Sequence, residues 1–196
     1  MNSGRVPALE LCNVCKTFGG LKATDNISIE VKEHEIYGII GPNGAGKTTL
    51  FNLITGVVPL SSGQIKVFGQ DISNLRADKI CKVGVARTFQ NIRLFNSATI
   101  MENLMIACQQ TIQYSAIQGC LRTKQFRKEE HGAQERCRNI LEKFGLLEYK
   151  DFTASKLPYG SQRRVEIMRA LMTDPKVLLL DEPAAGMNEE ETATLA

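Results

Sequence analysis

The sequence predicts an α/β fold whose core opens with an antiparallel β part and carries an inserted helical subdomain. Three observations predict it. Residues 8–40 place apolar side chains at roughly alternating positions between polar and Gly-rich turns. The stretch Gly41-Pro42-Asn43-Gly44-Ala45-Gly46-Lys47-Thr48 fits G-x-x-x-x-G-K-[ST], with an apolar run before it and a helix-like run after it. From about Ile100 to Leu147 the pattern becomes helical, and an apolar run at 177–180 then resumes the core.

In chain order, Leu9, Leu11 and Val14 mark one strand and Ile27, Ile29 and Val31 a second, with Gly19-Gly20 as the turn between them. Glu35-Ile36-Tyr37-Gly38-Ile39-Ile40 reads as a short buried strand leading into the 41–48 loop. In that loop the glycines allow a tight turn, so that successive N–H groups face one concavity and cradle phosphate oxygens. The helix that follows points its positive end at the same place. Lys47 is expected to reach the β- and γ-phosphates and the Thr48 hydroxyl to ligate Mg²⁺. Thr49 belongs to the same nucleotide-binding stretch and starts a helix that Thr55-Gly56 stops. Residues 64–69 read as another strand, 76–82 as a short helix and 83–89 as a further strand. Thr99 and Glu102 form a capping box that opens a helix. Residues 111–125 are irregular, and 126–144 is a charged helix with Ile140, Leu141 and Phe144 on one face. Residues 165–171 are helical, and Asp174-Pro175 makes a turn. Residues 177–180 read as a central parallel strand buried on both faces, and a helix begins at 189. The expected division is a single domain over 1–196, with 1–90 and 161–196 as α/β core and about 91–160 as the helical subdomain.

The 196 residues are 43% hydrophobic and 23% charged, enough for a real core. A net charge of +3 is too mild to argue for nucleic acid. No apolar run approaches the roughly 20 residues needed to span a bilayer, and residues 1–7 lack the apolar core of a signal peptide. A cytosolic protein, or one peripheral on a cytosolic face, is expected. Cys12 and Cys15 form a C-x-x-C with no second pair, so reduced cysteines are expected rather than a metal or redox site.

The apolar run at 177–180 ends in Asp181-Glu182-Pro183. This places Asp181 near the Mg²⁺ shell and lets Glu182 polarise the water that attacks a γ-phosphate. The order of the phosphate loop, Thr88-Phe89-Gln90, Leu157-Pro158-Tyr159-Gly160-Ser161-Gln162-Arg163-Arg164 and Leu178-Leu179-Leu180-Asp181-Glu182-Pro183 resembles an ABC-type ATPase, and these motifs span nearly the whole chain. Residues 85–95 and 183–188 are similar to the ATP-binding subunits of branched-chain amino acid importers.

The resemblance implies a P-loop NTPase (RecA-like) core with ATP and Mg²⁺ as cofactors. It implies that Gln90 joins the two lobes and senses the γ-phosphate through Mg²⁺ and water, and that residues 91–95 border a groove for a membrane subunit. It puts Phe18 under the adenine; a core Phe is the other reading of that residue. It sets Gly160 and Ser161 at a helix N-terminus facing the nucleotide of a second subunit. The chain departs from the usual L-S-G-G-Q by Pro158, Tyr159 and Ser161, and carries Asn188 where Asp is usual. Only His34 and His131 are present, so the family's γ-phosphate histidine is missing and the chain is expected to be C-terminally incomplete, with an apolar sheet edge exposed.

The implied function is an ATP-hydrolysing importer subunit for branched-chain or similar hydrophobic amino acids. It would be peripheral on the cytoplasmic side of the membrane. Its partners would be transmembrane permease subunits and a second ATP-binding subunit, homo- or heterodimeric, with a periplasmic or extracellular binding protein indirectly and no nucleic acid. A nucleotide-binding fragment with little turnover is the alternative. A soluble ATPase acting on DNA or ribosomes lacks support in a chain with no sustained heptads and no second phosphate loop.

Overall fold

Strands β1 (Leu9–Phe18) and β2 (Leu21–Val31) pair antiparallel, with Phe18 opposite Leu21 across the Gly19-Gly20 turn. The computed structural model describes residues 6–110 and 121–185. The β1 register shifts between Leu11 and Val14, where Asn13 takes a φ of 48°. That bulge explains why the apolar positions alternate only roughly. It returns Val14 to the buried face shared by Leu9 and Leu11. Lys16 is also buried there, its Nζ donating to the Pro59 carbonyl at 2.7 Å. Strand β3 (Ser62–Val67) pairs with the other edge of β1, and β4 (Gln70–Asp71) with β3, giving the order β2-β1-β3-β4.

Helix α1 (Lys47–Ile54) buries Leu50, Leu53 and Ile54 in the cluster that holds Leu9, Leu11, Ile65 and Val67. It stops where expected: the Thr55 hydroxyl donates to the Phe51 carbonyl at 2.7 Å and Gly56 takes a φ of 66°. Helix α2 (Ala77–Val83) adds Ile80 to the same cluster. Strands β5 (Val85–Arg87) and β6 (Val177–Leu179) form a parallel pair, Val85 opposite Val177 and Arg87 opposite Leu179. These elements make the first of two units, residues up to Arg87 together with Lys176–Leu179.

The second unit comprises Thr88–Pro175 and the residues from Leu180 onward. Helix α3 (Ile100–Cys108) starts with the expected capping box: Thr99 Oγ1 accepts from Glu102 N at 3.1 Å, and Glu102 accepts from Thr99 N at 2.7 Å. Helices α4 (Lys124–Lys143) and α5 (Tyr159–Leu171) pack with it around Ile100, Leu104, Cys137, Leu141, Val165 and Met168. Asn103 is fully buried, and its amide closes onto both the N–H and the carbonyl of Phe95, pinning the loop before α3. No helix among the described residues is long and apolar enough to cross a membrane.

Three expected strands differ. Residues 35–40 are not a strand; Ile36 and Ile40 are 101% and 97% exposed, and only Ile39 packs on the core. An apolar run signals burial but cannot supply the neighbouring ladder a strand requires. Among the described residues no strand pairs with it. Each exposed isoleucine forgoes roughly 1.5–3 kcal/mol of burial. Among the described residues β6 pairs with β5 alone; Val177 and Leu178 are only partly buried, Leu180 just after the strand is exposed, and the expectation of burial on both faces fails. The 83–89 strand shortens to β5 because Val83 ends α2. Residues 111–120 with Cys120, the 186–188 part of the loop after Glu182, and the helix expected from 189 lie outside the described residues.

Candidate functional site

The phosphate loop lies in the first unit. Its bends are carried by Gly44 at φ 83° and Gly46 at φ 86°. Gly46 admits no other residue: a Cβ there would stand 2.3 Å from the Ala23 carbonyl oxygen, in a backbone region L-residues avoid. Gly46 is the N-cap of α1 and offers no side-chain cap, and the first turn carries no acidic residue. The N–H groups of Lys47, Thr48 and Thr49 are therefore donors without a local side-chain acceptor, at the positive end of the helix. Lys47 Nζ folds back over the loop, donating to the carbonyls of Gly41 at 2.6 Å and Pro42 at 2.9 Å. Ala45 N donates to Pro42 O at 3.2 Å and closes the turn, while Asn43 and Thr48 are exposed. Phe18, also in this unit, is 47% exposed and is not a core side chain. The Lys16 ammonium lies 4.9 Å from its ring centroid.

The acidic residues lie in the second unit. Asp181 is 7% exposed, and its backbone N–H approaches the fully buried Thr88 hydroxyl at 3.4 Å. Glu182 is exposed and sits at φ 48°, a left-handed backbone that costs roughly 1–3 kcal/mol for a non-glycine residue. Gln90 Nε2 donates to Glu182 Oε2 at 3.2 Å. Two residues predicted separately to serve one reaction are thus in direct contact.

Arg163 and Glu166 were not assigned a role from sequence. Both are buried, at 1% and 2% exposure, on the inner face of α5. Their Nη1–Oε2 distance is 2.6 Å. Arg163 also donates to the carbonyls of Phe89, Asp181, Glu182 and Pro183. Glu166 Oε1 accepts from the N–H groups of Phe89 and Arg93, each at 3.4 Å. The i,i+3 spacing of opposite charges was visible, but a charged pair on a helix is ordinarily a solvated one.

Gly160 and Ser161 open α5 but do not face solvent. Ser161 is 8% exposed and its Oγ accepts from Arg164 Nη2 at 3.0 Å; Pro158 and Tyr159 are the exposed residues. The N-cap Pro158 makes no side-chain cap and the first turn has no acid, so this helix start also presents positive potential. Cys12 and Cys15 are not disulfide-bonded, and no group of three or more His, Cys, Asp or Glu suited to a metal is found among the described residues.

The family model for ABC transporters matches residues 24–185. The chain belongs to the ABC transporter family. Among curated members, the high-affinity branched-chain amino acid transport ATP-binding protein LivG of Salmonella typhimurium is 44% identical over 189 residues, covering 96% of this chain and 74% of LivG. The corresponding BraF protein of Pseudomonas aeruginosa is 43% identical over the same share. Among solved structures, MJ1267, an ATP-binding cassette of an ABC transporter in its ADP conformation, superposes with a TM-score of 0.80 at 35% identity, covering 96% of this ABC chain and 74% of that one.

Proposed function

We propose that this chain is the ATP-hydrolysing subunit of an importer for branched-chain or other hydrophobic amino acids. The observation that carries hydrolysis is the Gln90–Glu182 hydrogen bond beside the buried Asp181. The substrate class is supported by the likeness to LivG and BraF. An adenine nucleotide is supported by the ADP conformation of MJ1267 and by the uncapped N–H groups of Lys47, Thr48 and Thr49.

In this reading Gly41, Pro42, Asn43, Gly44, Ala45 and Gly46 wrap the phosphates with their backbone, and the N–H groups of Lys47, Thr48 and Thr49 continue the cradle. Lys47 leaves its two loop carbonyls to balance charge on the β- and γ-phosphates. Phe18 offers its exposed ring to the adenine. Thr48 and Asp181 would hold a magnesium ion, with Gln90 on its water shell; hydroxyl and carboxylate oxygens are the ligands a hard cation takes. When bound, that ion supplies neutralisation of phosphate charge. Glu182 polarises the attacking water while Gln90 holds its carboxylate in one orientation. No covalent intermediate with the protein is required.

Two such chains would pair, the first-turn N–H groups of α5 near Gly160 and Ser161 facing the partner's nucleotide. A permease segment would dock beside residues 91–95, as the family resemblance implies; the nearby groove of about 470 Å³ is lined by Ser97, Glu102, Met105, Ile106 and Gln109 and by none of 91–95. That docking would hold the chain at the cytoplasmic face of the membrane. A binding protein outside would act only through that permease. A second reading, nucleotide binding with little turnover, is favoured by the inward-turned Ser161 hydroxyl.

Expression in a bacterium deprived of its own LivG-type subunit tests the proposal. Restored uptake of labelled leucine, lost again with Lys47→Ala, is expected. Leucine uptake that stays absent while the chain co-purifies with the permease and binds ATP favours the second reading.

A further inference from the structure

We propose that Arg163 is a positioning residue that locks the start of α5 to the backbone of Glu182 and to the Phe89–Gln90 segment, so that the hydrolytic carboxylate keeps its orientation. The guanidinium has five N–H donors, and each has an acceptor. Nε serves Pro183 O at 3.3 Å; Nη1 serves Phe89 O and Glu166 Oε2; Nη2 serves Asp181 O at 2.5 Å and Glu182 O at 3.1 Å. Three consecutive carbonyls are thus held by one planar group. The middle one belongs to Glu182, whose backbone is in the left-handed region. A residue in that conformation persists only when its surroundings over-determine it, and Arg163 supplies those surroundings.

The charge is also accounted for. Glu166 neutralises Arg163 through Oε2 and uses Oε1 to accept the N–H groups of Phe89 and Arg93, which flank Gln90. Gln90 in turn donates to Glu182. The loop Arg163, Phe89, Gln90, Glu182, Arg163 therefore closes on itself. Gly160 and Ser161 lie less than one turn before Arg163 on the same helix. Any shift of that helix start, such as contact with a second chain's nucleotide would cause, is carried by a short rigid path to Glu182. A lysine, a point charge with three rotating donors, cannot hold three successive carbonyls in one plane.

The inference rests on the ATP-hydrolysing reading, so the unmodified 196-residue chain is measured alongside. Arg163→Lys is purified, its melting temperature recorded, and ATP binding and steady-state hydrolysis measured. Expected is a folded protein whose ATP Kd stays within about twofold while kcat falls roughly 10- to 100-fold, the scale of a misplaced catalytic group. The KM-against-kcat split is the deciding readout, because a merely structural role would degrade binding, turnover and melting together. Should Arg163→Lys fail to fold, Glu166→Gln, which keeps the arginine and removes only its charge partner, is read by the same split. Normal kcat in either folded variant, or parallel loss of binding and turnover, overturns the proposal. No turnover in the unmodified chain overturns the ATPase reading instead.

Discussion

Gln90 and Glu182 are 92 positions apart, and the amide of one donates to the carboxylate of the other at 3.2 Å. A general base needs its lone pair aimed at water, and an exposed glutamate on its own samples many rotamers. The Gln90 contact restricts that freedom without adding charge. Glu182→Gln removes the base and keeps a side chain of the same shape. Expected is ATP binding within a few-fold of the parent and hydrolysis slower by about 10²–10⁴-fold. Titration calorimetry beside a phosphate-release assay checks both halves, and unchanged turnover removes Glu182 from its role.

Gln90→Glu tests the same contact from the other side. It sets two carboxylates at hydrogen-bond distance, where like charge raises the pKa of one of them. A base with a raised pKa stays protonated to a higher pH than before. Hydrolysis is therefore expected to fall most on the acid side and to recover as pH rises, moving the acid limb of the rate profile upward. A profile that only scales down, with no shift along the pH axis, counts against Glu182 as the base.

Much of this region was legible in the sequence because its signals are local. The phosphate loop has a fixed spacing, the Thr99–Glu102 cap a fixed offset, and the acids follow an apolar run. What was not legible depended on partners distant in the chain. The run at 35–40 has strand composition, but composition says nothing about which strand pairs with it, and Ile36 and Ile40 stand in solvent. The Arg163–Glu166 pair looked like any i,i+3 surface pair until its carbonyl partners, 18 to 74 positions away, were in place. Ser161 could not be known to turn inward without Arg164 beside it.

Gly46→Ala probes the loop alone. The added methyl would stand 2.3 Å from Ala23 O, and the φ of 86° is itself unfavourable by roughly 1–2 kcal/mol for alanine. The loop must move, and the N–H groups of Lys47 to Thr49 move with it. Expected is a loss of nucleotide affinity of at least about tenfold, roughly the 1.4 kcal/mol equivalent. Fluorescent-nucleotide titration reads this directly, and retained affinity shows that the loop is not the phosphate cradle.

Asp71, which has no part in the proposed nucleotide site, gives a pH-dependent stability term. The Ser73 hydroxyl first, then the Gln64 amide and the Ser73 N–H, hold its carboxyl below its ordinary value of 3.8. A depressed folded pKa means stability that is present above the unfolded pKa and lost as pH falls through the folded one. Asp71→Asn is expected to melt lower than the parent at pH 7, by an amount under about 1 kcal/mol because the group is exposed. The gap closes below about pH 4. A constant gap across that range removes ionisation as its cause.

The central claim is that this chain binds a magnesium-bound adenine triphosphate through the loop at 41–48. Isothermal calorimetry of Mg·ATP into folded chain, with folding shown by circular dichroism, measures it most directly. Saturable heat at one nucleotide per chain, abolished by Lys47→Ala, is the predicted result. No heat in folded protein, or heat unaffected by that substitution, contradicts it.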